Sequence, residues 1–106
     1  MNLGQRLPDR QVGSNSEPLS IQLVRYDQPI DLTEATVTCR MVDAISGAAK
    51  VAAGTGTGSS NGVASYAPAL ADLDTVGEYT VQFIATMPDG AVHRSELVYL
   101  RVLPNP

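Results

Sequence analysis

From residue 19 the chain alternates: Leu19, Ile21 and Leu23 are separated by Ser20, Gln22 and Val24. A period of two marks a strand with one buried face. Tyr26-Asp27-Gln28-Pro29 then reads as a turn, since Pro29 presets its own backbone angle, and Ile30 and Leu32 bracket Asp31. Over residues 35–42, Ala35, Val37, Cys39 and Met41 share one face and Thr36, Thr38 and Arg40 the other. The β-branched threonines favour a strand over a helix. Residues 43–47 form a turn, and the Ala-rich residues 48–53 predict a short edge strand. The glycine-rich run 54–62 has the backbone freedom of a mobile loop or a frayed edge. Residues 63–67, with Tyr66, resume an extended pattern. Residues 68–74 are the one helix prediction, a turn or two long, with Pro68 in its first turn and Leu70 and Leu73 plugging the end of the core.

The strongest periodicity lies in residues 78–87, where Tyr79, Val81, Phe83 and Ala85 stand two apart. Pro88-Asp89-Gly90 closes a hairpin, with Gly90 supplying a positive φ, and a long strand returns over 91–103. In that strand Val98, Leu100 and Val102 are the core face. Tyr79, at the start of the penultimate strand, fits the tyrosine corner of immunoglobulin-like sandwiches, a structural role. Residues 1–18 show neither a period of two nor one of 3.6. The chain is therefore expected to be all-β: an immunoglobulin-like antiparallel β-sandwich over residues 19–106, with a flexible extended N-terminal arm at 1–18.

Composition narrows the function. The 106 residues carry a net charge of −4, with Lys and Arg at 7 against Asp and Glu at 11, which gives no basic footprint for nucleic acid. A single cysteine, Cys39, forms no internal bridge, so a disulfide-stapled scaffold is excluded and the thiol is read as a small core hydrophobe. No apolar run reaches the roughly 18 residues of a membrane span, and residues 1–16 lack the apolar stretch of a signal peptide. The expectation is a soluble protein without a membrane partner. Its small core leaves little room for an enzyme cleft.

No reactive constellation stands out. The 54–62 glycines lack the lysine and helix of a phosphate-binding loop. His93 is the sole histidine, so a metal site would need carboxylates or Cys39 to complete it. A Ser-His-Asp triad through His93 has no nucleophile elbow to support it. Asp72, Asp74 and Glu78 match no calcium loop and read as solvated carboxylates. The expectation is no catalytic, cofactor-binding or metal-binding residue, and no enzyme.

Three segments resemble the immunoglobulin-like domain at the N-terminus of tailed-phage baseplate upper proteins and of related small phage structural proteins. They are the run Tyr26-Asp27-Gln28-Pro29-Ile30-Asp31-Leu32-Thr33-Glu34-Ala35-Thr36-Val37-Thr38, then Asn61-Gly62-Val63-Ala64-Ser65-Tyr66, and Thr75-Val76-Gly77-Glu78-Tyr79 with Pro88-Asp89-Gly90. The resemblance implies a non-enzymatic structural subunit of a tailed bacteriophage virion, in the tail, neck or baseplate. Such a subunit would be made in the bacterial host cytoplasm and docked in several symmetry-related copies on other virion proteins. Baseplate upper proteins continue beyond this domain, whereas the sequence here stops at Pro106, so a small subunit is expected. Docking is expected through the arm and loops, with Leu3, Leu7 and Val12 as apolar pegs that have no core of their own to join. The alternatives are a capsid decoration protein and a host-surface or carbohydrate recognition module.

Overall fold

The computed structural model describes residues 5–7, 10–13 and 17–104. Among the described residues twelve strands follow one another: β1 (Gln5–Arg6), β2 (Arg10–Gln11), β3 (Leu19–Gln22), β4 (Val24–Arg25), β5 (Gln28–Pro29), β6 (Thr36–Asp43), β7 (Ala49–Thr55), β8 (Thr57–Gly58), β9 (Val63–Tyr66), β10 (Gly77–Thr86), β11 (Val92–Arg94) and β12 (Val98–Leu103). A 3-10 turn at Leu70–Leu73 takes the place of the short helix expected there. The larger sheet runs β1-β12-β10-β6-β7, with β11 beside the far end of β10 and β2 beside β12. The second sheet is β3-β9-β8, and β4-β5 forms a separate hairpin. The fold is an immunoglobulin-like β-sandwich.

Period-two patterning builds its centre. β10 pairs antiparallel with β6, setting Val81 opposite Met41, Phe83 opposite Cys39 and Ala85 opposite Val37. On its other side Tyr79 faces Leu100 and Val81 faces Val98. These side chains are all buried, together with Leu19, Ile21 and Ala64 from the second sheet, and Leu73 closes one end as expected. Burying a Val, Leu or Phe side chain fully contributes about 1.5–3 kcal/mol, so this stripe is the main source of stability. Tyr79 makes the expected corner, its hydroxyl donating to the Thr75 carbonyl at 2.8 Å.

Several expectations need correction. The run 54–62, expected to be a mobile loop or a frayed edge, instead carries the end of one edge strand and the whole of another before turning at 59–62. β7 pairs with β6 in the larger sheet, the chain crosses at Gly56, and β8 pairs with β9 in the other sheet. Its glycines serve close approach: a Cβ on Gly56 would lie 2.6 Å from the Ser65 carbonyl oxygen, and one on Gly58 2.5 Å from the Leu32 Cβ. The turn expected at 26–29 is present, centred on Tyr26-Asp27 at the tip of the β4–β5 hairpin. The long final strand is broken after β11, because Ser95 is spent inside the sandwich. Its hydroxyl accepts from the Phe83 N–H and donates to the Glu96 carbonyl, both at 2.9 Å.

The arm is not free along its described residues. β1 and β2 pair in parallel with β12 and sheathe its outer edge. The Leu7 N–H donates to the Tyr99 carbonyl at 2.8 Å and the Val12 N–H to the Leu103 carbonyl at 2.9 Å. Both side chains pack against the core, so the premise that Leu7 and Val12 lack a core of their own is corrected. Leu3 lies outside the described residues.

Candidate functional site

Sequence features with chemical potential are dispersed by the fold. Cys39 sits at 0% exposure, and burial, followed by the negative charge of Asp72, pushes its thiol up to about 12. A thiol so placed is neither nucleophile nor ready metal ligand. The three carboxylates near the 3-10 turn part company. Asp72 accepts from the Tyr66 hydroxyl and from the Ala69 N–H, Asp74 pairs with Lys50, and Glu78 pairs with Arg101 across the β10–β12 ladder. Burial and then the bond to Asp72 push the Tyr66 hydroxyl up to about 12. Among the described residues no group of three or more His, Cys, Asp and Glu side chains converges.

His93 lies elsewhere, in a groove of about 510 Å³ between the two sheets. One wall is residues 21–25 of β3 and β4, the other residues 92–96 of β11 and the break after it, and Ile30 lies between. This position follows from topology. β3 ends the smaller sheet, with β9 on one side, and β11 is paired with β10 alone. The groove therefore opens between an unpaired edge of each sheet. Its depth is apolar, with Ile21 and Leu23 buried, while its rim presents Val24 at 50% and Val92 at 49% exposure. Arg25, His93, Arg94 and Glu96 add charge or polarity to the rim.

Beside the groove stands the β4–β5 hairpin. Val24 pairs with Pro29 and Arg25 with Gln28, leaving Tyr26-Asp27 as a two-residue loop. Both loop residues have positive φ, 53° and 62°, the signature of a type I′ turn, which Asn-Gly ordinarily fills. A tyrosine in that conformation costs about 1–2 kcal/mol. The hairpin is tied back by a hydrogen bond from the Ile30 N–H to the Leu23 carbonyl at 3.0 Å. At its tip Tyr26 is 85% exposed, with the Arg25 guanidinium 5.2 Å from the ring centroid. Tyrosine and arginine are among the residue types that dominate binding energy at interfaces. Sequence reasoning placed a turn here but missed the site, which needs both sheet edges side by side.

No protein family's sequence pattern matches the chain, and no curated protein sequence does either. Among solved structures, the chain resembles CopC from Methylosinus trichosporium OB3b, with a TM-score of 0.57 and 15% identity over 97% of this chain and 87% of that one. At that identity the likeness establishes the fold. It corrects the expectation of a virion subunit, in tail, neck, baseplate or capsid decoration, and of a carbohydrate module: the structural likeness is to a copper-handling protein. The physical reason is visible in the segments that carried the earlier resemblance. Asp31 accepts from the Thr33 N–H, Tyr79 makes the corner and Asp89 accepts from the Ala91 N–H in the hairpin turn. Those residues build a sandwich, and a sandwich hosts many functions. The described residues offer no ready copper site either. His93 is the single imidazole, Cys39 and Met41 are sealed in the core, and no convergent donor set exists among the described residues.

Proposed function

We propose that this chain is a non-catalytic binding module that holds a protein ligand in the groove between its two sheets. The observation that carries this reading is the meeting of the two unpaired edges, β3 and β11, around an apolar cleft flanked by the Arg25–Tyr26 tip. Binding sites favour such clefts, with apolar walls and a few polar groups that set orientation. Chemistry at the groove is disfavoured by Ser95, whose hydroxyl is committed to the Phe83 N–H and the Glu96 carbonyl, leaving His93 no free nucleophile in that residue.

The test is amide chemical-shift mapping on the ¹⁵N-labelled protein with nine-residue acidic, basic and neutral peptides. Saturable shifts confined to residues 21–30 and 92–96 are expected for at least one peptide. Shifts centred on another face, or none with any peptide, would overturn the reading.

A further inference from the structure

We infer that the groove takes an acidic β-strand from another protein, which adds to the free edge of β3; this rests on the binding-module reading above. Antiparallel strands direct the backbone groups of alternate residues to opposite sides. The Leu23 N–H donates to the Gly62 carbonyl at 2.7 Å, on the β9 side. In the same ladder Ile21 faces Ala64 and Leu19 faces Tyr66, so the backbone groups of Ser20 and Gln22 point to the open edge. An unpaired edge of this kind is a template for one more strand, about 4.8 Å away. The Gln22 side chain does not cap it, because its amide is drawn to the Asn61 carbonyl at 2.9 Å.

The side chains define the strand. Residues turned inward on an added strand would cover Ile21 and Leu23, the inward side chains of the β3 edge, with Ile30 beside them, which calls for apolar side chains at every second position. The residues between them would lie at the exposed rim, which carries Arg25 and Arg94, two guanidiniums against the single carboxylate of Glu96. The ion pairs among the described residues lie elsewhere, at Lys50–Asp74 and Arg101–Glu78, so neither groove arginine is neutralised by a described carboxylate. In a chain of net charge −4 this cationic rim is a local reversal, and it selects an acidic partner segment. Backbone pairing would supply affinity and the alternating side chains specificity, as in other cases of strand addition.

The probe is a fluorescein-labelled peptide of nine residues alternating Glu with Val, followed by anisotropy and by amide shifts on the intact chain. It is expected to bind with a Kd below about 1 mM. Binding is expected to weaken about fivefold in Arg25→Gln and again in Arg94→Gln, and to fall with added salt. Both arginines are exposed, so these variants should keep the parent circular dichroism and melting temperature. The same peptide with Lys for Glu should not bind, and N-methylation of its alternate amides should abolish binding. Equal binding of the Glu and Lys peptides, or undiminished binding after N-methylation in both registers, would overturn the acidic-strand inference. Shifts still confined to the groove would then leave the binding-module reading standing. Loss of all groove shifts with every peptide would overturn both. A concentration-dependent dimer with the same residues covered would replace the partner strand by a second copy of this chain and so overturn the inference.

Discussion

Cys39 is the side chain whose chemistry the fold changes most. Its thiol is raised from an ordinary value of 9.0 to about 12 because the charged form has no solvent, with the charge of Asp72 adding to the effect. A group raised on folding contributes stability fully below its unfolded value, and that contribution is lost as pH climbs to the folded one. Tyr66, raised from 10.0 to about 12, acts in the same direction. Stability is therefore expected to decline between about pH 9 and pH 12 in urea titrations, and iodoacetamide should modify Cys39 only once the chain unfolds. Rapid alkylation of the folded protein at neutral pH would contradict that placement. At the acid end the sign reverses. Asp31 is held below 3.8 by the Thr33 hydroxyl and then its N–H, and Asp74 by Lys50 and then Thr75, so their contribution is present above the ordinary carboxylate value and is lost as pH falls through the folded one. Gly58 is decided by space. Gly58→Ala forces a Cβ to within 2.5 Å of the Leu32 Cβ and 2.7 Å of its carbonyl oxygen, and should destabilise by about 1–3 kcal/mol in denaturant melts. The core role of Cys39 and the corner at Tyr79 were legible from period-two spacing. The need for glycine at 58 was not, since the neighbour it approaches, Leu32, lies far along the chain.

Among the elements, the β4–β5 hairpin and the N-terminal strands departed furthest from expectation. Tyr26-Asp27 holds a turn that Asn-Gly would fill with less strain. Replacing both residues by Asn-Gly should raise stability by about 1–2 kcal/mol while weakening peptide binding at the groove. Gain of stability with unchanged binding would remove Tyr26 from the site. For the first strands the structure argues stability in place of docking. The double variant Leu7→Ala with Val12→Ala should lower the melting temperature by about 4–8 °C, the equivalent of roughly 1 kcal/mol in a chain of this size. An unchanged melting temperature would restore the picture of a free arm. These pieces escaped a reading by periodicity because two-residue strands carry no period. β1 and β2 exist only because β12 offers them an edge.

Across the molecule, the likeness to CopC extends over 97% of this chain, while among the described residues no cluster of three or more His, Cys, Asp and Glu side chains could hold a metal. Stoichiometric copper(II) should leave the melting temperature unchanged, since a ligand stabilises a fold only where it binds the folded state. A rise of several degrees would reveal a site among these residues. The groove is likewise a property of the assembled sandwich. β3 and β11 are separated by most of the chain, and among the described residues neither has a strand on its outer side, the arm strands pairing with β12.

The all-β class, the buried faces of β6, β10 and β12, the corner at Tyr79 and the closing hairpin at Gly90, whose φ is 93°, were legible in the order of residues alone. These are local properties, written in the alternation of adjacent residues or in the backbone freedom of one. Long-range pairing set the rest: the glycine run crosses between the sheets at Gly56 before turning at 59–62, the arm is spent on β12, and two edges are left open around one groove. Each of those outcomes depends on which strand finds an unpaired neighbour, and pairing between distant segments leaves no periodic trace in either of them.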